Sequence, residues 1–412
     1  MGTQALPVFP RVVGGELPLS PREAAGWLNG AEQDQAPVGA LAQLFGGAQH
    51  TAVWLSYGRS ALGVALDLCG VEPEHVVAVP SYQCGAVVRK IASRTPRWRG
   101  YPLEPSLAPK IDEGVEMGQV AQALVTCVFF GSAAIEARLE TLAQRLRRRR
   151  ASAWIIEDRV MCAPDPSAWP RVANRCDVAV LSFRKHYPVP DGALLLAYSS
   201  RARERLAEWR PRHRGQDVGM MGSLVRQKVR AKLQRYAWRS AAPLADDPAR
   251  NGLTESIASE QALEATSDSR AGDGERATAA SAGYLMRRPL AADATTLRRR
   301  LRSVVDALRG MAGRAMTVGL DDGGGVGVPV LVKAREAVRA KAAERGLFLP
   351  IHWPRFEGDM AESCPSAGRW YAEELTLPVG ACQSEDDVSF LIHAFCDAVR
   401  RTSTASAPCI PM

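Results

Sequence analysis

The chain has 412 residues, past the size at which one hydrophobic core usually keeps growing, so a large domain with a smaller companion is expected. Hydrophobic residues make up 46% and charged residues 23%, and no apolar stretch approaches the ~20 residues needed to span a bilayer, which argues against a membrane protein. The net charge of +8 raises the question of a nucleic-acid partner, but the densest basic run, RLRRRR from Arg145 to Arg150, closes a helical pattern where cations complement the dipole, and it lacks interleaved aromatics.

Residues 1–45 read as an N-terminal segment with one helix capped at Ser20-Pro21; no secretory pattern is present, so the cytoplasm is the expected location. Nine scattered cysteines without a CxxC pair read as reduced thiols, and no metal site is expected. From Thr51, strand AVWLS, helix ALGVALDLC, strand VVAVPS and helix CGAVVRKIAS follow one another. Strand QALVTCVFF, helix IEARLETLAQRL and strands AWIIED and VAVLSF continue the pattern. This alternation predicts an α/β large domain over 46–255, with a mostly parallel sheet flanked by helices. A Ser-, Ala- and Gly-rich stretch at 256–290 reads as a flexible insertion. Helix TTLRRRLRSVVDALRGM, the turn DDGGG, strand VGVPVLV, helix AREAVRAKAAERG, LFLPIHWP, strand ELTLPVG and a last helix make a smaller α+β domain over 291–400, followed by a disordered tail at 401–412.

Two segments carry chemistry. IIED ends at Asp158 and SFRKHYPVPDG runs from Ser182 to Gly192; each follows an apolar strand, so its polar residues emerge at the C-terminal edge, where open α/β sheets bind ligands. This is the order in which a pyridoxal-phosphate enzyme needs its groups: a carboxylate to hold the pyridine nitrogen protonated and an amine to bind the cofactor covalently. Asp158 and Lys185 are the candidates. On spacing alone, Arg184-Lys185-His186 also describes a solvated turn. In SYGRSALGVAL, Gly58, Arg59, Ser60 and Ala61 open a helix near Ser60 whose amides could face a phosphate.

These segments, in this order from about Ala52 to about Val399 apart from 201–290, resemble the DegT-type nucleotide-sugar aminotransferases of pyridoxal-phosphate fold type I. The resemblance implies a seven-stranded large domain, with Lys185 as the Schiff-base lysine and Asp158 as the pyridine-nitrogen aspartate. It places Ser60, Ala61 and Ser182 around the phosphate, and His352 and Trp353 of GLFLPIHWP toward substrate. Cys84 stands where that family usually has a ring-stacking aromatic, so Cys84 or Tyr82 would meet the ring, and Met161 stands where a glutamine is typical. No clear version of the NYRM segment, by which a partner subunit reaches the site, is present. The expected activity is transfer of an amino group from a donor such as glutamate to a keto-sugar or related carbonyl acceptor by a homodimer. Elimination or decarboxylation on the same cofactor, or a non-catalytic homologue, are the alternatives.

Overall fold

The computed structural model describes residues 36–45, 51–209, 277, 279–309, 316–320, 322–381 and 383–405. Helix α1 (Ala36–Leu44) leads to β1 (Ala52–Leu55), α2 (Gly58–Leu68), β2 (Val77–Pro80), α3 (Gly85–Ala92), β3 (Trp98–Tyr101), α4 (Ile111–Val120) and β4 (Ala123–Cys127). Then come α5 (Ala133–Arg149), β5 (Trp154–Asp158), α6 (Trp169–Arg175), β6 (Val178–Ser182), β7 (Ala193–Ala197) and α7 (Ser200–Glu208). The strands form one seven-stranded sheet in the order β1-β7-β6-β5-β4-β2-β3. All pairs among β6, β5, β4, β2 and β3 are parallel; β7 runs antiparallel to both β6 and β1.

The interior of the sheet is apolar on both faces because β2, β4, β6 and β7 are near-continuous runs of apolar residues, as a sheet covered on both sides requires, whereas the edge strand β3, WRGY, is partly exposed. Alternation sorts them. In β5, Trp154 and Ile156 join the core beneath α2 and α7, while Ile155 joins the core on the opposite face, with Leu139, Leu142 and Leu146 of α5. Ser132 caps α5 by accepting from Ile135 N at 3.2 Å. The basic run does end that helix, and part of it is structural: Arg150 donates to the backbone oxygens of Gly118, Gln119 and Ala121, closing the C-terminus of α4.

The smaller domain comprises α9 (Leu290–Arg309), β8 (Met316–Val318), β9 (Val328–Val332), α10 (Arg335–Ala343), α11 (Pro365–Glu373), β10 (Glu374–Leu377) and α12 (Glu385–Ala405), with an antiparallel sheet ordered β10-β9-β8. Two boundaries differ from expectation. Within the presumed insertion, Ala279–Met286 forms a helix, α8, that packs on α1, and α9 begins at Leu290 rather than in the TTL segment. Small residues such as Ser281 and Ala282, with Leu285, are fully buried there, a gain that local composition does not signal. Likewise α12 continues to Ala405, into the expected tail. The Ser20-Pro21 cap, residues 256–276 and 406–412 lie outside the described residues.

The Gly-rich turn docks the small domain onto the large one backbone to backbone. Gly324 N donates to Phe130 O at 3.0 Å, Ala163 N to Gly324 O at 2.9 Å, and Val326 N to Met161 O at 3.1 Å. A Cβ on Gly325 would stand 2.0 Å from Met161 O, so only glycine permits this approach.

Candidate active site

Asp158 is the last residue of β5, and Lys185 lies on the turn that follows β6, the neighbouring parallel strand. Both emerge at the C-terminal edge of the sheet. Asp158 is 5% exposed; one carboxylate oxygen accepts from Val160 N at 3.0 Å, and the other makes no hydrogen bond among the described residues. Burial pushes this carboxyl up to about 6, against the pull of the Val160 amide and the Lys185 ammonium. Among the described residues Lys185 itself makes no hydrogen bond or ion pair.

The Lys185 charge is felt by Asp158, Cys84, Cys127, His186 and His352, which draws these groups into one locus from five separate segments. Cys84 precedes α3 without a side-chain cap; its backbone oxygen, not its thiol, accepts from the amides of Val87 and Val88 at 3.0 and 3.1 Å. Burial raises the thiol, more than Lys185 lowers it. Burial and Lys185 together hold the His186 imidazole down at about 3, so it is neutral, and its buried Nε2 has no hydrogen-bond partner among the described residues.

Helix α2 starts at Gly58, two residues before the position expected, and points its N-terminus at the same edge. Ala61 N is taken by Tyr57 O at 3.0 Å, so the open donors are the preceding amides of the first turn rather than that of Ala61. Tyr57 offers no side-chain cap. A Cβ on Gly58 would lie 2.8 Å from Val160 Cγ1, which shows how closely this turn approaches the segment leaving Asp158. The Arg59 guanidinium stacks on Tyr57 at 4.4 Å, and Arg184 lies over the same ring at 5.8 Å, so positive charge borders the helix start. Ser60 is fully buried, with Oγ 3.3 Å from Ser56 Oγ; Ser182 lies two residues beyond Val180, which meets Gly58, and shares its face of β6.

Three other sequence candidates sit differently. Tyr82 is fully buried in an aromatic cluster, 4.8 Å from Trp353 and 4.8 Å from Tyr371. Trp353 packs there too, 5.3 Å from Phe129. Of the two residues considered for the ring face, Cys84 is the one beside Lys185 and Asp158. Met161 is wholly buried, and its backbone oxygen anchors the Gly-rich turn. His352, by contrast, lies within electrostatic reach of Lys185 and His186. Glu374, Thr376 and His186 were not singled out from sequence; the strand pattern ELTL, with two polar residues on one face, was the available signal for the first two.

These residues suit pyridoxal phosphate. A buried carboxylate with a free oxygen can hold a ring cation, an unpaired lysine can bind covalently, and an uncapped helix start bordered by two guanidiniums suits a phosphate. Among the described residues no group of His, Cys, Asp and Glu is arranged to hold a metal ion.

No family model matches the chain, and neither does any curated protein sequence. Solved structures do. The aminotransferase TlmJ from Streptoalloteichus hindustanus is 18% identical, with a TM-score of 0.62 over 95% of this chain and 100% of that one. Helicobacter pylori PseC, an aminotransferase involved in the biosynthesis of pseudoaminic acid, is 12% identical, with a TM-score of 0.63 over 95% and 100%. The PLP form of Spr1654 from Streptococcus pneumoniae, a putative sugar aminotransferase, is 14% identical, with a TM-score of 0.61 over 95% and 99%. The chain therefore has the fold of these aminotransferases along almost its whole length, the pyridoxal-phosphate fold type I.

Proposed function

We propose that this protein is a pyridoxal-phosphate aminotransferase that moves an amino group from a small amino donor such as glutamate to a keto-sugar or related carbonyl acceptor. The observation that carries it is the placement of Asp158 at the end of β5 and of Lys185 on the turn after β6, the adjacent parallel strand, so that both emerge at the ligand-binding edge. When bound, the cofactor supplies an electron sink for the bond changes at the amino-bearing carbon. Asp158 would hold the proton on the pyridine nitrogen, an ion pair that the buried site strengthens. Lys185 would carry the covalent link and then, as a free amine, move the proton at the substrate carbon. Gly58, Arg59 and Ser60 would receive the phosphate, and Cys84 would lie against the ring.

The same reading has the protein acting as a homodimer in the cytoplasm. Its support is the seven reduced cysteines among the described residues, six of them buried, and the pairing habit of a fold whose sites sit near subunit boundaries.

The test is the visible spectrum of the purified protein with added pyridoxal phosphate, followed by borohydride reduction and peptide mapping. A yellow band with the reduced adduct on Lys185, then bleached by an amino donor, is the expected result. An adduct scattered over surface lysines, or no band, would overturn the reading.

A further inference from the structure

Strand β10 reads ELTL: Leu375 and Leu377 enter the small-domain core, while Glu374 and Thr376 occupy the other face, and both are fully buried. A carboxylate is costly in such a place unless it is hydrogen-bonded. Here it is, twice. Thr376 Oγ1 donates to Glu374 Oε1 at 2.5 Å, and the His352 backbone N–H donates to Oε2 at 3.0 Å. The same Thr376 hydroxyl lies 2.8 Å from His352 Nδ1. Carboxylate, hydroxyl and imidazole thus form an ordered chain that runs out of the small domain toward Lys185.

The far end of that chain is open. His352 Nε2 makes no hydrogen bond among the described residues, and the side chain keeps 12% of its surface exposed. The ring stands edge-on to Phe130, with centroids 5.4 Å apart; Phe130 is itself held at φ 51, in the left-handed region that non-glycine residues seldom occupy. His186 lies within electrostatic reach of His352, and its buried Nε2 has no hydrogen-bond partner among the described residues.

We propose that Glu374, Thr376 and His352 form a proton relay in which His352 Nε2 takes up and returns a proton beside Lys185, with Glu374 and Thr376 as the positioning residues that set its tautomer. The inference deepens the aminotransferase reading and rests on it for the reaction the proton serves. With Glu374 ionised, Thr376 donates to the carboxylate and accepts the Nδ1 proton of His352 as a hydrogen bond, so Nε2 carries the lone pair and acts as a base. A proton taken at Nε2 is matched by passage of the Nδ1 proton to Thr376 and of the Thr376 proton to Glu374. The ring is again neutral, but Nε2 now donates. Returning the proton reverses each transfer, so the cycle leaves no net change.

The surrounding charges suit this exchange. Burial pushes Glu374 up to about 7, while Arg335 and Arg339 of α10, with its hydrogen bonds to Thr376 and His352, pull it down. Burial, Lys185 and His186 hold His352 well below the usual imidazole range, so the ring is neutral at pH 7. Glu374 is therefore the member whose protonation changes near neutrality.

The test uses the tautomer of His352 in the ¹⁵N-labelled full-length protein, its resonances identified by their absence in His352→Gln. In the wild type, the proton should sit on Nδ1 at high pH and move to Nε2 as pH falls through about 7; Thr376→Ser should keep this behaviour, whereas Thr376→Val and Glu374→Gln should abolish it. An unchanged tautomer profile in Thr376→Val would overturn the relay. In the pyridoxal-phosphate-loaded protein, L-glutamate should bleach the visible band at least about a hundredfold more slowly in His352→Gln, with the Lys185 borohydride adduct retained. A wild-type rate in that variant would also overturn it. Failure of the wild type to form the Lys185 adduct would instead remove the aminotransferase reading, and the tautomer measurement would still decide the relay.

Discussion

Glu157 and Asp158 are consecutive on β5, and the two faces of the sheet hold their carboxylates in opposite states. Glu157 points toward α5 and α6, where Arg175 meets it at 2.5 and 2.7 Å and Arg159 at 2.8 Å; these cations hold it below the usual carboxylate range although it is 1% exposed. Asp158 points to the α2 side with one amide donor and, among the described residues, no cation within ion-pair distance, and burial pushes it up to about 6. One acid is fastened into the scaffold and the other is left available.

Asp158 therefore burdens the protein without cofactor. Its folded value lies above the ordinary 3.8, so its contribution to stability is fully present below about pH 4 and lost as pH rises through about 6. Replacing it by Asn should raise the stability of the cofactor-free protein at pH 8 by roughly 1–3 kcal/mol, read by chemical denaturation. The same variant should lose activity by at least about a hundredfold, because the neutral amide cannot hold the ring cation. A cofactor-free variant no more stable than the wild type would count against the burial argument.

Cofactor affinity should carry the same signature. Below about pH 6, Asp158 must lose a proton before it can pair with a pyridinium, so affinity should fall as pH drops, approaching about tenfold per unit. Equilibrium titration of the cofactor-free protein between pH 5 and 8 measures this. A flat profile in the wild type, or an unchanged slope in Asp158→Asn, would contradict it.

The Glu157 pair predicts the reverse kind of loss. Glu157→Ala leaves Arg175 and Arg159 buried without their shared carboxylate, although Glu136 still contacts both at 3.5 and 2.6 Å. The expected cost is about 3–5 kcal/mol. Replacing Glu157 and Arg175 together by apolar residues of similar volume should cost less than Glu157→Ala, and denaturant midpoints with unchanged slopes would show it.

Gly325→Ala tests the seam between the domains. Its Cβ would meet backbone, Met161 O at 2.0 Å, rather than a side chain that can move aside. We expect a loss of about 1–3 kcal/mol and weaker cofactor retention, since the same turn braces the segment that leaves Asp158. Thermal unfolding of the cofactor-free and loaded forms separates the two effects.

Sequence by itself determined the alternation of strands and helices and five strands of the sheet, because a strand buried on both faces must be written as a run of apolar residues; the half-exposed β3, written WRGY, and the antiparallel β7 were not among them, and the count of seven rested on the family resemblance. Sequence also determined Asp158 and Lys185 as residues at strand ends, since the step from apolar run to polar residue is local. What lies across the chain was decided by tertiary structure alone. Helix α8 is made of small residues whose stability comes from burial against α1, and no local pattern announces that. Tyr82 and Cys84 stand two residues apart, yet one enters an aromatic core while the other faces Lys185; the backbone path after β2 settles which is which. Glu374, Thr376 and His352 are brought together by the pairing of β10 with β9 and the loop that precedes α11. Hydrogen bonds between residues 22 and 24 positions apart depend on register and approach, quantities that the order of amino acids encodes only through the finished fold.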